Sequence, residues 1–490
     1  MDKKCQHSSL SHTSENRYKK LLSTTLILSI GTIISKLMTY VVLTPLYTDT
    51  LHPDEFGFVE IVVQTANLLM PLVSLGINQA VLRFGMDGET DRGSVLTTGL
   101  MVNLAGFLLF LLFYPLVKMI PTYGDYALLT YAFVFTSITH YLFAYSVKSM
   151  HKATLFTISV IIGTTILVGL DILFLAVLDM GVTGYILAII LSDAICSVIL
   201  ILTAKLHRYI CLANLKKSVV RAMLKYSIPL IPNSALWWLT DYSDRFMLSL
   251  YDNAGGSNAS GLTATGLYSL AYRLPNMLVM VCGIFMDAWQ MSVLSEKSRL
   301  ERQKFFSNVY QMYQSIIFVG ASGLILGSKL ITYIMAQDPA YYPSWQYIPT
   351  LVFATAMSCF VTFLGSVYII EKKSKSSLIT TVIGTVMNIG LNFILIPRMG
   401  AHGAAIATAV SYGFVFVFRA IHTRKFIPIE WDLPRLSINL SLITAQCFVM
   451  VFEVTGWEFI VSGMFAIVLV INFRLLLSSV KQFFLSRKGG

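Results

Sequence analysis

The sequence predicts an all-α polytopic membrane protein of about 14 transmembrane helices, and three observations predict it. Of 490 residues, 56% are hydrophobic and only 12% are charged, half the share of roughly 25% that soluble domains carry. The apolar residues come in runs that suit a hydrocarbon core about 30 Å thick, crossed by ~20 residues of helix. Lys and Arg gather in alternate loops, as membrane topology requires. That asymmetry accounts for the net charge of +11 without nucleic acid as a partner.

The elements follow in order. Residues 1–20 are polar, carry no cleavable signal pattern and form a cytoplasmic tail. The first apolar run, 21–46, is too long for a signal segment and remains as a helix; spans 57–80, 94–117, 125–147, 153–177 and 182–203 complete a first group of six, 21–203. A basic linker, 204–223, leads to spans 224–249, 264–290, 307–327, 345–369, 376–397 and 402–420, which form a second group, 224–425. Spans 436–454 and 458–477 and a cytoplasmic tail fill 426–490. Pro229 and Pro232 interrupt the seventh span, since each removes a helical hydrogen bond and bends the chain. A gating hinge and a static kink are both compatible with them.

Thirty of the 36 Lys and Arg residues fall on one side of these spans, Arg419 among them, and Lys118, Lys329 and Arg398 on the other. Both termini are therefore expected in the cytoplasm. The outer loops are short, and no glycine-rich phosphate loop is present, which argues against an ATP-hydrolysing machine and against an enzyme with an outer catalytic domain. Six scattered cysteines (Cys5, Cys196, Cys211, Cys282, Cys359 and Cys447) have no metal-ligand spacing and read as packing residues. No metal site and no cofactor are expected.

An internal repeat links the two groups. Gly169-Leu170-Asp171 matches Gly390-Leu391-Asn392, and Met180-Gly181-Val182-Thr183-Gly184 matches Met399-Gly400-Ala401-His402-Gly403. A weaker echo at an offset of 209 pairs Gly57 with Gly266, Asn67 with Asn276 and Asn78 with Asp287. A six-helix unit keeps its orientation when repeated, so the copies form two pseudo-symmetric lobes about an axis along the membrane normal, with the last two helices outside.

Three cations remain inside spans: Lys36, Arg245 and Arg273. Each costs at least ~2.5–3.5 kcal/mol at the centre of a bilayer, so such residues face a cavity and serve a substrate, here an anionic one. By helical rise Lys36 lies roughly 22 Å along its span and Arg273 roughly 13 Å from the outer end of its own. Arg245 follows Asp241 by four residues, which is ion-pair spacing, so cargo binding and an internal pair both stand. Arg83, Asp287 and Gln290, at inner helix ends, read as a cytoplasmic gate or as interfacial anchors. Among the acidic residues within spans, Glu60 and Asp193 are candidates for proton or sodium coupling, or for interhelical hydrogen bonding. Trp237, Trp238 and Trp289 suit either stacking on sugar rings or the membrane interface.

Several of these segments also resemble a known family. They are Ser35-Lys36-Leu37, Pro45-Leu46-Tyr47, Asp54-Glu55-Phe56-Gly57, Tyr226-Ser227-Ile228-Pro229-Leu230-Ile231-Pro232, Ser243-Asp244-Arg245, Ala288-Trp289-Gln290 and Gly403-Ala404-Ala405-Ile406-Ala407-Thr408. Their order over residues 18–425 resembles the Wzx-like polysaccharide flippases of the MOP (multidrug/oligosaccharidyl-lipid/polysaccharide) superfamily. The resemblance implies a V-shaped two-lobe fold working by alternating access in the bacterial cytoplasmic membrane. The implied cargo is an undecaprenyl-pyrophosphate-linked oligosaccharide moved from the inner to the outer leaflet. A monomer serving a polysaccharide polymerase and other assembly proteins is the expected context. A MATE-type drug exporter on the same scaffold, or less readily a polymerase or glycosyltransferase, is the competing reading.

Overall fold

The computed structural model describes residues 29–87, 90–120, 123–251, 260–293, 299–371 and 373–486. The expected tail 1–20 lies outside them. Every regular element among the described residues is helical. Eleven helices there are long and apolar enough to cross a membrane. One of these, Lys375–Thr423, has room for two spans, and Trp457–Phe473 is a shorter apolar helix. The helix Ile231–Ser249, which carries Asp241, Asp244 and Arg245, is not among the eleven.

Contacts divide the chain into two compact units. Among the described residues, one unit takes those of Met1–Thr50 and Val62–Ala235, and the other those of Leu51–Ile61 and Leu236–Gly490.

In the first unit, a core of Ile77, Val81, Leu96, Leu142, Leu200 and Met223 is sealed from solvent. The span Ala153–Val177 is buried over only 11% of its apolar window, the proportion expected of a helix that faces lipid. Polar order lies inside. Tyr47 donates to Asp171 Oδ2 at 2.7 Å, tying the helix Ser29–Thr50 to the end of the helix Ala153–Asp171. The helix Pro53–Val73 stops at Ser74-Leu75-Gly76, where Leu75 and Gly76 take φ of 50° and 63°, and a new helix runs over Ile77–Asp87. The seventh predicted span is likewise divided. The helix Lys217–Ser227 gives way to a 3-10 turn, Ile228–Leu230, which holds Pro229, before the helix Ile231–Ser249. Pro232 falls in the first turn of that last helix, where a missing N–H forfeits no internal bond.

In the second unit the helix Ile348–Tyr368 is 78% buried and forms the centre. Tyr310, Tyr313, Phe360 and Phe363 pack ring on ring beside it. The helix Pro53–Val73 meets Gly261–Ala271 backbone to backbone: a Cβ built on Gly57 would lie 2.0 Å from the Leu262 carbonyl, and one on Gly266 1.9 Å from that of Pro53. These are the two glycines paired by the weaker sequence echo.

The stronger echo also has a structural counterpart. Gly181 and Gly400 both adopt positive φ, 52° and 56°, conformations that favour glycine. Gly400 thereby breaks the helix Ser374–Thr423 between the spans expected at 376–397 and 402–420. Gly403 presses on the backbone at Leu395, and Gly184 on the Cβ of Met180 and on the side chain and carbonyl of Phe174. Asp171 and Asn392, matched in sequence, are both fully buried.

Arg419, counted above with the inner-side loop cations, is 3% exposed and lies inside the helix Ser374–Thr423. That helix continues beyond the apolar run, and three hydrogen-bond acceptors hold the guanidinium in the packed interior.

Candidate functional site

Arg245 occupies the helix Ile231–Ser249 and is 4% exposed. Its Nη1 donates to the Asp241 carbonyl at 2.9 Å and lies 3.8 Å from Asp244 Oδ1. Asp244 is itself fixed, accepting from the Arg245 amide at 2.8 Å and from the Tyr268 hydroxyl at 2.9 Å. The guanidinium also lies 4.3 Å from the centre of the Tyr272 ring and 5.0 Å from that of Tyr242, within cation–π range. The expected pairing with Asp241 is thus differently arranged. Arg245 reaches the carbonyl of Asp241, the nearby carboxylate belongs to Asp244, and the carboxylate of Asp241 accepts from Tyr412 at 2.8 Å.

Arg273 opens the helix Arg273–Val293 directly after Gly261–Ala271. Its Nη2 donates to Glu60 Oε1 at 3.0 Å, and both side chains are mostly buried. The guanidinium lies 5.8 Å from the centre of the Phe56 ring. Glu60 and Arg273, entered separately from sequence as a coupling candidate and a cargo cation, are therefore one ion pair. Glu60 also lies in electrostatic range of Arg245. The second unit so contains Glu60, Asp241, Asp244, Arg245 and Arg273, framed by the hydroxyls of Tyr268 and Tyr412. Such a group can exchange partners: an incoming anion competes for the guanidinium groups, and an incoming cation for the carboxylates.

The other candidates are more dispersed. Lys36 is an exposed residue of the helix Ser29–Thr50 in the first unit. Arg83 forms an exposed pair with Asp87 one helical turn on, at 3.3 Å. The side chains of Asp287, Gln290 and Trp289 lie outside the described residues. Asp193 accepts from Ser137 Oγ and lies in electrostatic range of His140, which places it in a packed polar contact of the first unit.

Sequence reading missed two features. Arg419 donates to Val361 O at 2.8 Å, Thr380 Oγ1 at 3.0 Å and Thr381 Oγ1 at 3.2 Å, and borders a cavity with Trp237, Thr240 and Tyr412. A larger cavity, of about 280 Å³, opens in the first unit around Asn67, Ser74, Gln79 and Tyr141. The Pro71 and Gly76 punctuation at the end of the second span was the available signal for it.

Residues 21–289 match the sequence profile of the family described as "Polysaccharide biosynthesis protein". A search of curated proteins finds no match. Among solved structures, the chain is similar to a multidrug resistance MATE family transporter of the MOP superfamily in an inward-facing conformation, at 16% identity and a TM-score of 0.62, covering 81% of this chain and 98% of that one. An outward-facing MATE transporter of the same superfamily gives 17% and 0.60, over 83% and 96% of the two chains. A MOP superfamily transporter from Pyrococcus furiosus, whose description reports reversed polarity of its binding pocket, gives 16% and 0.54, over 82% and 96%. These likenesses show the fold.

Proposed function

This chain belongs to the polysaccharide biosynthesis protein family, and from that premise we propose that it flips an undecaprenyl-pyrophosphate-linked oligosaccharide from the inner to the outer leaflet of the bacterial cytoplasmic membrane. It is a transporter rather than an enzyme. The observation that carries the reading is the Arg273–Glu60 pair, a guanidinium held within an apolar helix array with a carboxylate at 3.0 Å. A diphosphate offers a guanidinium two acceptor edges and more charge than one carboxylate, so it is the stronger partner. The cargo displaces Glu60 from Arg273, and the released carboxylate then becomes available to a proton or a sodium ion. Binding of the anion and of the coupling cation are linked in this way.

Lys36 and Arg245 serve as further cations on the cargo path in this reading, and Arg83, Asp287 and Gln290 as the cytoplasmic gate. Pro229 and Pro232 act as the hinge, and Asp193 is a second candidate for ion coupling. Fourteen spans in two six-helix lobes, 21–203 and 224–425, with both termini cytoplasmic, complete the proposal, and a polysaccharide polymerase takes up the product.

The test is leaflet transfer of an undecaprenyl-pyrophosphate disaccharide by the purified protein in proteoliposomes. Arg273→Ala is expected to abolish transfer while the protein still inserts and melts cooperatively. Undiminished transfer by that variant removes Arg273 from the path. A second reading, a MATE-type exporter of organic cations, draws on the carboxylates of Asp244, buried, and Asp241, partly buried; transport of ethidium by the same vesicles, with none of the lipid, would favour it.

A further inference from the structure

The cavity of the first unit differs in chemistry from the charged group of the second. It holds about 280 Å³, close to the lower end of the range of small-molecule sites. Its polar lining is amide and hydroxyl: Asn67, Ser74, Asn78, Gln79, Tyr141 and Tyr145. No charged side chain is among its described lining residues.

Two arrangements mark this cavity as built. Asn78 is braced, its Nδ2 donating to the Ile138 carbonyl at 3.2 Å and its Oδ1 accepting from Asn103 at 3.2 Å. Asn67 donates to Gln64 at 3.1 Å. The wall also includes the unwound stretch at Ser74 and Gly76, where the helix Pro53–Val73 stops. Ser227 Oγ caps one carbonyl of that break, at Leu75, at 2.8 Å. Irregular backbone at membrane depth persists only where it is packed in protein or lines a cavity that holds polar matter.

The lining excludes most occupants. A lipid chain would leave the remaining hydrogen-bonding capacity of the Asn67 and Gln79 amides unmet, which is costly once they are covered. A diphosphate or an inorganic ion would find no opposite charge. An uncharged, hydroxyl-rich group satisfies the amides as donor and acceptor together, and the rings of Tyr141 and Tyr145, 6.1 Å apart and tilted, offer apolar faces to its C–H surface. We propose that this cavity is a saccharide subsite that selects uncharged sugars. The inference rests on the flippase reading and deepens it: sugar identity is checked here, by neutral groups, apart from the cations that answer to the diphosphate.

The experiment uses the full chain in detergent with Ser234→Cys, at an exposed position on the cavity wall, and follows its labelling by a maleimide through peptide mass analysis. Three probes are compared: undecaprenyl pyrophosphate without sugar, the same lipid bearing a neutral disaccharide, and the same lipid bearing a disaccharide with one uronic acid. The neutral disaccharide should slow labelling about tenfold relative to the bare lipid, the size expected of two hydrogen bonds. The uronate should protect several-fold less. Asn67→Ala combined with Gln79→Ala, both exposed side chains, should remove the protection. Equal protection by the bare lipid or by the uronate, or protection that survives the double substitution, overturns the subsite. Melting of the protein with each probe separates the two levels of failure. A bare lipid that raises the midpoint, with no added protection from sugar, leaves the flippase standing and sinks the subsite. If none of the three lipids raises the midpoint, the flippase reading fails and the subsite fails with it.

Discussion

Arg419 keeps an ionised group in the packed interior by directing three N–H donors at Val361, Thr380 and Thr381, on a neighbouring helix and on its own helix before the Gly400 break. Gly365 makes the room, since a Cβ there would lie 2.7 Å from Nη1. Arg419→Met should therefore lower stability by about 1–3 kcal/mol, because three acceptors lose their donor. Arg419→Lys should fail to restore it, having no planar fork. Thermal unfolding in detergent checks both. Spacing did not reveal this residue, since a count of loop charges treats any cation near the end of an apolar run as solvated. Arg245 was half legible: helical arithmetic brought it to Asp241, but the amide of Arg245 pins Asp244 beside it and makes that the acidic neighbour. The partnership of Glu60 with Arg273 spans 213 positions and leaves no local trace. At this pair Glu60→Gln should leave leaflet transfer measurable but cut its dependence on a proton or sodium gradient several-fold, because one hydrogen-bonding neighbour remains without the charge. An unchanged gradient dependence would remove Glu60 from the coupling step.

Helix ends and breaks were the most legible elements wherever glycine or proline announced them. Gly181, Gly400 and Pro229 each coincide with an observed turn or break. The π-helical stretches Thr39–Leu43 and Ile172–Val177 were not, because their residues are ordinary helix-formers and only packing selects the wider turn. Asp91 shows a cap that chemistry alone specifies: it accepts from the Ser94 amide at 2.9 Å at the start of the helix Arg92–Leu111. That bond holds its carboxyl below the usual carboxylate range. A depressed folded value means the contribution is present above the ordinary carboxylate range and is lost as pH falls through the lowered one. Asp91→Ala should lower stability at neutral pH by about 1 kcal/mol, and the difference from wild type should vanish in acid; melting curves at both pH values check this. Pro229→Ala with Pro232→Ala should leave the melting midpoint near that of wild type and slow leaflet transfer severalfold if the turn flexes during transport. Unaltered transfer would make it a static bend.

Across the whole molecule the usual partition is inverted. Leu109, Leu112, Val177, Phe459 and Val470 are exposed, while Gln314, Asn388, Asn439 and Gln446 are buried, the arrangement expected of a protein whose solvent is hydrocarbon. Composition made this readable at once. The contacts among buried amides were not, because any polar residue can answer any other. Cys211, exposed in the basic linker, makes the orientation testable: an impermeant maleimide should leave it unlabelled in intact cells and label it in inverted vesicles. The reverse result would overturn the assignment of that linker to the cytoplasm.

The meeting of Gly57 with Gly266 carries a mechanical corollary. Where two helices touch through bare main chain, no rotamers interlock, and only dispersion and weak C–H···O contacts hold them. Such a crossing sets the two helices at a separation and rotation that a side chain at either position would forbid, so it works as a notch that locates one against the other. A single methyl at either position would jam it.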